Sequence, residues 1–439
     1  MHREFEDYLK CGRLEHGFLR VRCTQCHAER LVAFSCKRRG FCPSCGARRM
    51  TESAALLVDE VLPAVPLRQW VLSVPFPLRY LFATDPAAMA AVLGIVYRAI
   101  AAHLVRKAGL TRATAETGAV TLIQRFGSAL NLNIHFHLLF LDGVYALGKG
   151  QPRFRRVSPP GPVELELLLG RIIGRIARHL ERRGLLVRDA ENSYLSLAPG
   201  GDATLDTVLG HSITYRVAVG PNEGRKAFTL QSLALPLSAP PGDERLAKRD
   251  GFSLHAGVAA AAHQREKVER LCRYLARPAL ATARLALTAQ GEVRYTLKTP
   301  YRDGTTHVVF EPLDFIARLA ALVPKPRVHL TRYHGVFAPH SALRAQVTPA
   351  GRGRSIGAAE RSPVERHRAM SWAQRLKRVF RIEIERCERC GGKVKILASI
   401  EDPLLIARIL AHLGQGSSAA LAAAHPPRAS PAQGRLDLF

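Results

Sequence analysis

The stretch "LNLNIHFHLL", residues 130 to 139, constrains the chain more than any other. Side chains of a strand alternate between two faces. Leu132, Ile134, Phe136 and Leu138 therefore share one face, which suits a core, and Asn131, Asn133, His135 and His137 share the other. A strand half-solvated in the ordinary way does not carry a fully apolar face opposite two amides and two imidazoles. Imidazoles two residues apart on one face can converge on a single cation. Alone the motif is weak and satisfied surface histidines are the default reading, so the question is whether anything else in the chain requires a metal.

The surrounding texture alternates strands and helices. "RQWVLSVPF", "AVTLIQRFG" and "LNIHFHLLFLDGVY" read as strands, and residues 87–109, 162–184 and about 262–276 as helices. A Pro/Gly-broken insertion is expected from about 196 to 250, and a hairpin turning at Gln290-Gly291. The Gly/Arg-rich segment 344–368 reads as a linker, 369–414 as a small module and the Ala/Ser/Pro-rich residues 415–439 as a disordered tail. No apolar run approaching the roughly 18 residues of a membrane span is evident, and "MHREFEDYLK" has no signal-peptide core. A cytoplasmic protein is expected.

Charge narrows the partners. Lys and Arg number 64 against 36 Asp and Glu, a formal +28 on a chain that is 47% hydrophobic. A folded protein with this excess, dominated by arginine, has the electrostatic footprint of a nucleic-acid binder.

The cysteines point to metal. Cys23-x-x-Cys26 and Cys42-x-x-Cys45 lie 15 residues apart, the spacing of a four-thiolate zinc site. Such a site is structural, since four protein ligands leave no open position. Cys11, His16, His27 and Cys36 could furnish a second site, and Cys387-x-x-Cys390 is half of another, to be completed by a histidine, by the N-terminal module or by a second subunit. Around the cluster, Arg38, Arg39, Arg48 and Arg49 suit a DNA-contacting hairpin.

"EKVERLCRYLARPALA", residues 266 to 281, places Tyr274 near a helix end among Arg270, Arg273 and Arg277. A phenol titrates near 10 and is a poor nucleophile. Guanidinium groups and a metal-bound phosphate would make its phenolate accessible. The plainer reading is a terminal aromatic packing on the sheet.

Together these residues resemble a known family. His135-Phe136-His137 has the form of the HUH motif of single-strand DNA endonucleases, U being a bulky apolar residue. Over nearly its full length the chain resembles the rolling-circle transposases of the insertion-sequence-ninety-one and common-region group. The matching strings, in order, are "FSCKRRGFCPSCGARRM", "LNLNIHFHLLFLDGVY", "FSLHAGVAA", "RYLARPALA", "YRDGTTHVVFEPLDFIARLAALVPKPRVHLTRYHGVFAPHS" and "SWAQRLKRVF…CERCGG". The resemblance implies an α+β fold. It would comprise a zinc-binding domain at 1–52 and an HUH domain at 65–343, an antiparallel sheet with flanking helices in the RNA-recognition-motif manner. It also implies Mg²⁺ or Mn²⁺ held by His135, His137 and one further ligand, His255 first and Gln264 second. Tyr274 would be the nucleophile, Arg277 would steady the phosphate, and Asn131, Asn133, Arg270 and Arg273 would meet DNA. "RYHGVFAPH", 332–340, is a further expected DNA contact.

Some members carry two tyrosines four residues apart. Here the flanking positions are Arg270 and Pro278, which suggests the single-tyrosine type. The expected partners are single-stranded DNA at element ends and at the target, with strand separation left to a host helicase. The rival readings are a zinc-dependent DNA-binding protein without chemistry, and a replication initiator or relaxase sharing the HUH reaction.

Overall fold

In a computed structural model, the described residues are 2–38, 40–148, 150–188, 193–196, 202–231, 245–351 and 386–413. Most of the expected linker, the tail from 415 and Arg39 lie outside them. The architecture is α+β with antiparallel sheets, in two compact units.

The larger unit takes in Ala54–Ala276 and resumes at Arg284. Its main sheet runs in the order Leu246–Arg249, Phe252–His255, Leu67–Ser73, Leu132–Leu141, Gly118–Phe126 and Thr331–Gly335, with Ala259–Ala260 also on Leu67–Ser73. Every pairing is antiparallel. The histidine strand is central, which its unbroken apolar face requires. Directly opposed residues share a face, so the register puts Gln124 and Ser73 beside His135, and Leu122 and Val71 beside His137.

The face opposite the histidines is covered by two helices, Phe76–Thr84 and Pro86–Lys107. Phe82 stacks on Phe136, Tyr97 stacks on Phe140, and His103 meets Trp70 edge-on. Asp85 caps the longer helix by accepting from the amides of Ala87 and Ala88 at 2.8 and 2.9 Å, an arrangement that typically stabilises by about 1 kcal/mol. By length and composition Pro86–Lys107 could cross a membrane, contrary to the sequence expectation. Its apolarity has another cause: Val92, Val96 and Ile100 are fully buried in the protein.

The histidine face grades along the strand from apolar to polar. Leu139 and Leu141, with Val120, Leu122 and Leu67 of the neighbouring strands, belong to a core with Val268, Leu271, Cys272 and Leu275. Those four come from the helix Arg265–Leu275 at i, i+3, i+4 and i+7, one helical stripe. At the far end of the strand this core gives way to His137 and His135.

Two sequence expectations are refined here. The insertion at 196–250 is partly regular: the helix Ala203–Ile213 packs under the histidine strand, where Ser212 Oγ accepts from Leu132 N at 2.9 Å. Phe228–Gln231 pairs with Thr305–Phe310, and Leu246–Arg249 forms the edge of the main sheet. "RYHGVFAPH" has a structural part beside its half-exposed residues. Thr331–Gly335 is the other edge strand, and Val336 and Phe337 are fully buried. Gly335 (φ +58°) allows this, since a Cβ there would lie 2.0 Å from the Thr117 carbonyl oxygen.

The smaller unit joins the N-terminal residues to Ser53 with Arg277–Ala283 and the described C-terminal residues. The module expected at 369–414 therefore does not stand alone. Val394–Ile400 pairs with Phe18–Cys23, which pairs with Glu29–Ala33. Leu14, Phe18, Ile400, Ile406 and Leu410 form a small core drawn from both chain ends.

Candidate active site and cysteine clusters

His135 is half-buried, and its Nδ1 lies 2.8 Å from the Asn133 carbonyl oxygen. A carbonyl only accepts, so Nδ1 carries the proton and the lone pair resides on Nε2, the tautomer a metal-binding imidazole needs. His137 is 4% exposed, with Nδ1 2.8 Å from the Gln69 side-chain amide. As placed, the amide nitrogen faces Nδ1 and donates to it, which leaves the ring proton on Nε2; a metal at Nε2 requires the Gln69 amide turned over, so that its oxygen accepts from Nδ1–H. The two rings stand 4.8 Å apart between centroids.

Tyr274 is the penultimate residue of the helix Arg265–Leu275, and its ring meets His137 edge-on at 6.3 Å between centroids. Terminal helix carbonyls lack partners within the helix. Gln124 supplies one, its Nε2 donating to the carbonyls of Leu275 at 2.9 Å and Tyr274 at 3.3 Å. Since Gln124 sits directly opposite His135, one side chain fixes the tyrosine helix to the histidine face. The Lys298 ammonium lies 5.0 Å from the centre of the Tyr274 ring. Sequence reasoning missed Gln69, Gln124 and Lys298. The two glutamines were detectable in principle, as buried polar residues at histidine-face positions of the strands that flank the histidine strand.

Other expected site residues lie elsewhere. His255 faces Val71, which in turn faces His137. It is thus two strands away, about 10 Å at the usual strand spacing. Among the described residues, the groups of three or more potential ligands gathered within 4.8 Å are two cysteine quartets, so His255 is not gathered with the histidine pair. Gln264 is the N-cap residue of the tyrosine helix, but its side chain turns back into the preceding loop, Oε1 accepting from Ala261 N at 3.0 Å. Asn131 is fully buried and cannot meet DNA, whereas Asn133 is half-buried. Arg270 is exposed and Arg273 half-buried on the tyrosine helix, and Arg277 belongs to the smaller unit. Arg38 pairs with Asp7, Arg48 lies 3.4 Å from Glu52, and Arg49 donates to the Lys37 carbonyl at 3.1 Å.

The zinc expectation is corrected in its pairing. Cys23, Cys26, Cys42 and Cys45 do not form one quartet. Cys42 and Cys45 join Cys11 and Cys36, while Cys23 and Cys26 join Cys387 and Cys390. His16 and His27 are exposed and belong to neither. In the first quartet the sulfurs of Cys11 and Cys42, Cys11 and Cys45, and Cys36 and Cys45 are 3.7, 3.7 and 3.5 Å apart. A tetrahedron with 2.3 Å zinc–sulfur bonds has edges of roughly 3.8 Å, so these distances fit it. Crowding splits the acidities. Hydrogen bonding with Cys36 and Cys42 draws the Cys11 thiol down to about 7, while hydrogen bonding with Cys11 holds Cys36 far above the thiol range. The quartets have the donor chemistry of structural zinc. Cys272 is different: fully buried in the core, its thiol is pushed up to about 12 by that burial.

Comparison with known families identifies two matching regions. Residues 1–74 match the family model described as "Transposase zinc-binding domain" (Zn_Tnp_IS91), which spans Cys11, Cys36, Cys42 and Cys45. Residues 118–344, just over half of the chain, match the model described as "Putative transposase" (Y2_Tnp). The chain belongs to this transposase family. Its substrate class is therefore DNA, and the matched region holds the histidine strand and Tyr274 together. No curated protein and no solved structure matches the chain.

Proposed function

We propose that this transposase cleaves and rejoins single-stranded DNA at the ends of its element by an HUH-type reaction with Tyr274 as nucleophile. The observation that carries the proposal is the packing of Tyr274 edge-on to His137, on a helix that Gln124 fixes to the histidine face. His135 and His137 would hold Mg²⁺ or Mn²⁺ through Nε2. A divalent cation there supplies Lewis acidity at a phosphoryl oxygen.

The chain's own groups would do the rest. The Tyr274 oxygen attacks phosphorus, the bond from phosphorus to the 3′ oxygen breaks, and a 5′-phosphotyrosine and a free 3′-OH result. The phenolic proton is lost and the departing 3′ oxygen gains one. Reversal by the same or another 3′-OH rejoins DNA, because the ester conserves the phosphodiester linkage. Arg270, Arg273 and Lys298 are cations on or near the tyrosine helix that would hold the phosphates, and Arg277 follows it in sequence. A single tyrosine in this helix means that two coupled transfers need its sequential use, a second protomer or a free 3′-OH. The rolling-circle mode of transposition belongs to the same proposal.

The test is oligonucleotide cleavage by zinc-loaded protein with Mn²⁺ or Mg²⁺, on single strands carrying the element's own ends. The expected result is cleavage in wild type and a loss of at least a hundredfold in His135→Ala and His137→Ala, both still folded and zinc-replete. Wild-type activity in either variant would overturn the metal assignment, and no cleavage by wild type would leave a DNA-binding role without chemistry.

A further inference from the structure

We infer that Cys23, Cys26, Cys387 and Cys390 bind a second zinc ion, which staples the C-terminal segment to the N-terminal domain. This inference is independent of the reaction proposed for Tyr274. Two of the four ligands lie far outside the matched zinc-binding domain.

The geometry is that of two facing knuckles. Cys23 and Cys390 sulfurs are 3.5 Å apart, as are those of Cys26 and Cys387. Each knuckle is closed by its own backbone: Cys23 N donates to Ala28 O at 2.9 Å, and Cys387 N to Gly392 O at 2.7 Å. In each, the residue after the second cysteine is left-handed, His27 at φ 55° and Gly391 at 73°. The Gln25 backbone N–H points at Cys23 Sγ from 3.4 Å, a donor suited to a thiolate. The knuckles also abut directly, with Thr24 N donating to Lys393 O at 2.8 Å. A Cβ at Gly392 would lie 3.0 Å from Cys23 Sγ and 2.7 Å from Gln25 Oε1, so the close approach favours glycine.

The staple has a mechanical reason. The strand Val394–Ile400 buries only Ile400, while Ile396 is 62% and Leu397 40% exposed. Apolar burial fixes its far end, through Ile400, Ile406 and Leu410. At its near end the quartet is the fastening, across a sequence separation of 367 residues between Cys23 and Cys390. The cost of closing so long a loop grows only logarithmically with length, so strong ligation can meet it. Cys26 and Cys390 are exposed, whereas Cys42 and Cys45 of the first quartet are buried. A chelator should therefore remove the staple ion first.

The experiment is native mass spectrometry of the full chain, with hydrogen exchange on the same samples. Wild type should carry two zinc ions and the double variant Cys387→Ser/Cys390→Ser one. In that variant the amides of Val394–Ile400 and Phe18–Cys23 should exchange at least tenfold faster. Cys387→His keeps a ligand and should restore two ions, and its cobalt form should show a thiolate replaced by nitrogen. That guards against a double variant that merely misfolds. Two ions in the double variant, or disulfides in place of zinc in wild type, would overturn the site. One ion with unchanged exchange would overturn the staple.

Discussion

Gln69 meets His137 through a neutral amide where a carboxylate is the common alternative, so the imidazole is oriented without an added charge. Losing such an outer partner typically lowers metal affinity or activity by about 10–100-fold. Gln69→Leu should therefore shift the Mn²⁺ dependence of DNA cleavage to higher concentration by about that factor. Unchanged metal dependence in a folded variant would show that Gln69 does not orient the site. His334 offers a second test at this scale. It stacks on Tyr97 at 4.7 Å between centroids, and burial, with Arg332 nearby, lowers its pKa from 6.5 to about 4. Between those values the unfolded chain binds the extra proton, so its contribution is complete above about pH 6.5 and is lost as pH falls toward 4. The slope within that window approaches about 1.4 kcal/mol per pH unit. Denaturant unfolding at pH 7 and pH 5 should show it, and His334→Gln should flatten it. An equal slope in the variant would assign the loss to other groups.

Among the elements, the strand Leu67–Ser73 of the main sheet is fixed by a buried ion pair. Arg68 holds Asp142 with two parallel hydrogen bonds at 2.8 and 2.9 Å and donates to Ala256 O at 2.9 Å, joining three passages of the chain. Removing one partner of such a pair strands a buried charge and costs about 3–5 kcal/mol. Asp142→Ala should lose about that much in urea unfolding, and a loss near zero would mean that water reaches Arg68. At this scale the sequence was most legible. The periods of 3.6 and 2 locate the helices Pro86–Lys107, Pro162–Arg182 and Arg265–Leu275 and the central strands, and Gly291 turns its hairpin at φ 81°. The helix Ala203–Ile213 was masked by Pro and Gly around it, and its register on the histidine strand depends on a serine that carries no sequence signal.

For the whole molecule, the limit of sequence reading lies in long-range pairing. Spacing alone favours joining Cys23 and Cys26 to their nearest neighbours, because CxxC knuckles carry no record of which partner they face. The fold instead brings in Cys387 and Cys390 through the strand Val394–Ile400, and leaves Cys42 and Cys45 to Cys11 and Cys36. His135, His137 and Tyr274 were legible because strand alternation and a helix end are local. Gln124, which joins them, is visible only once the strand register is known. The central claim concerns that join: one tyrosine acts at the phosphate held by the histidine pair. Its most direct test is to trap protein with 3′-labelled single-stranded element ends, digest it, and map the DNA-bearing peptide by mass spectrometry. The account predicts a phosphodiester on Tyr274, formed only with divalent metal and absent from Tyr274→Phe. A covalent adduct on another residue, or one that persists in Tyr274→Phe, would contradict it.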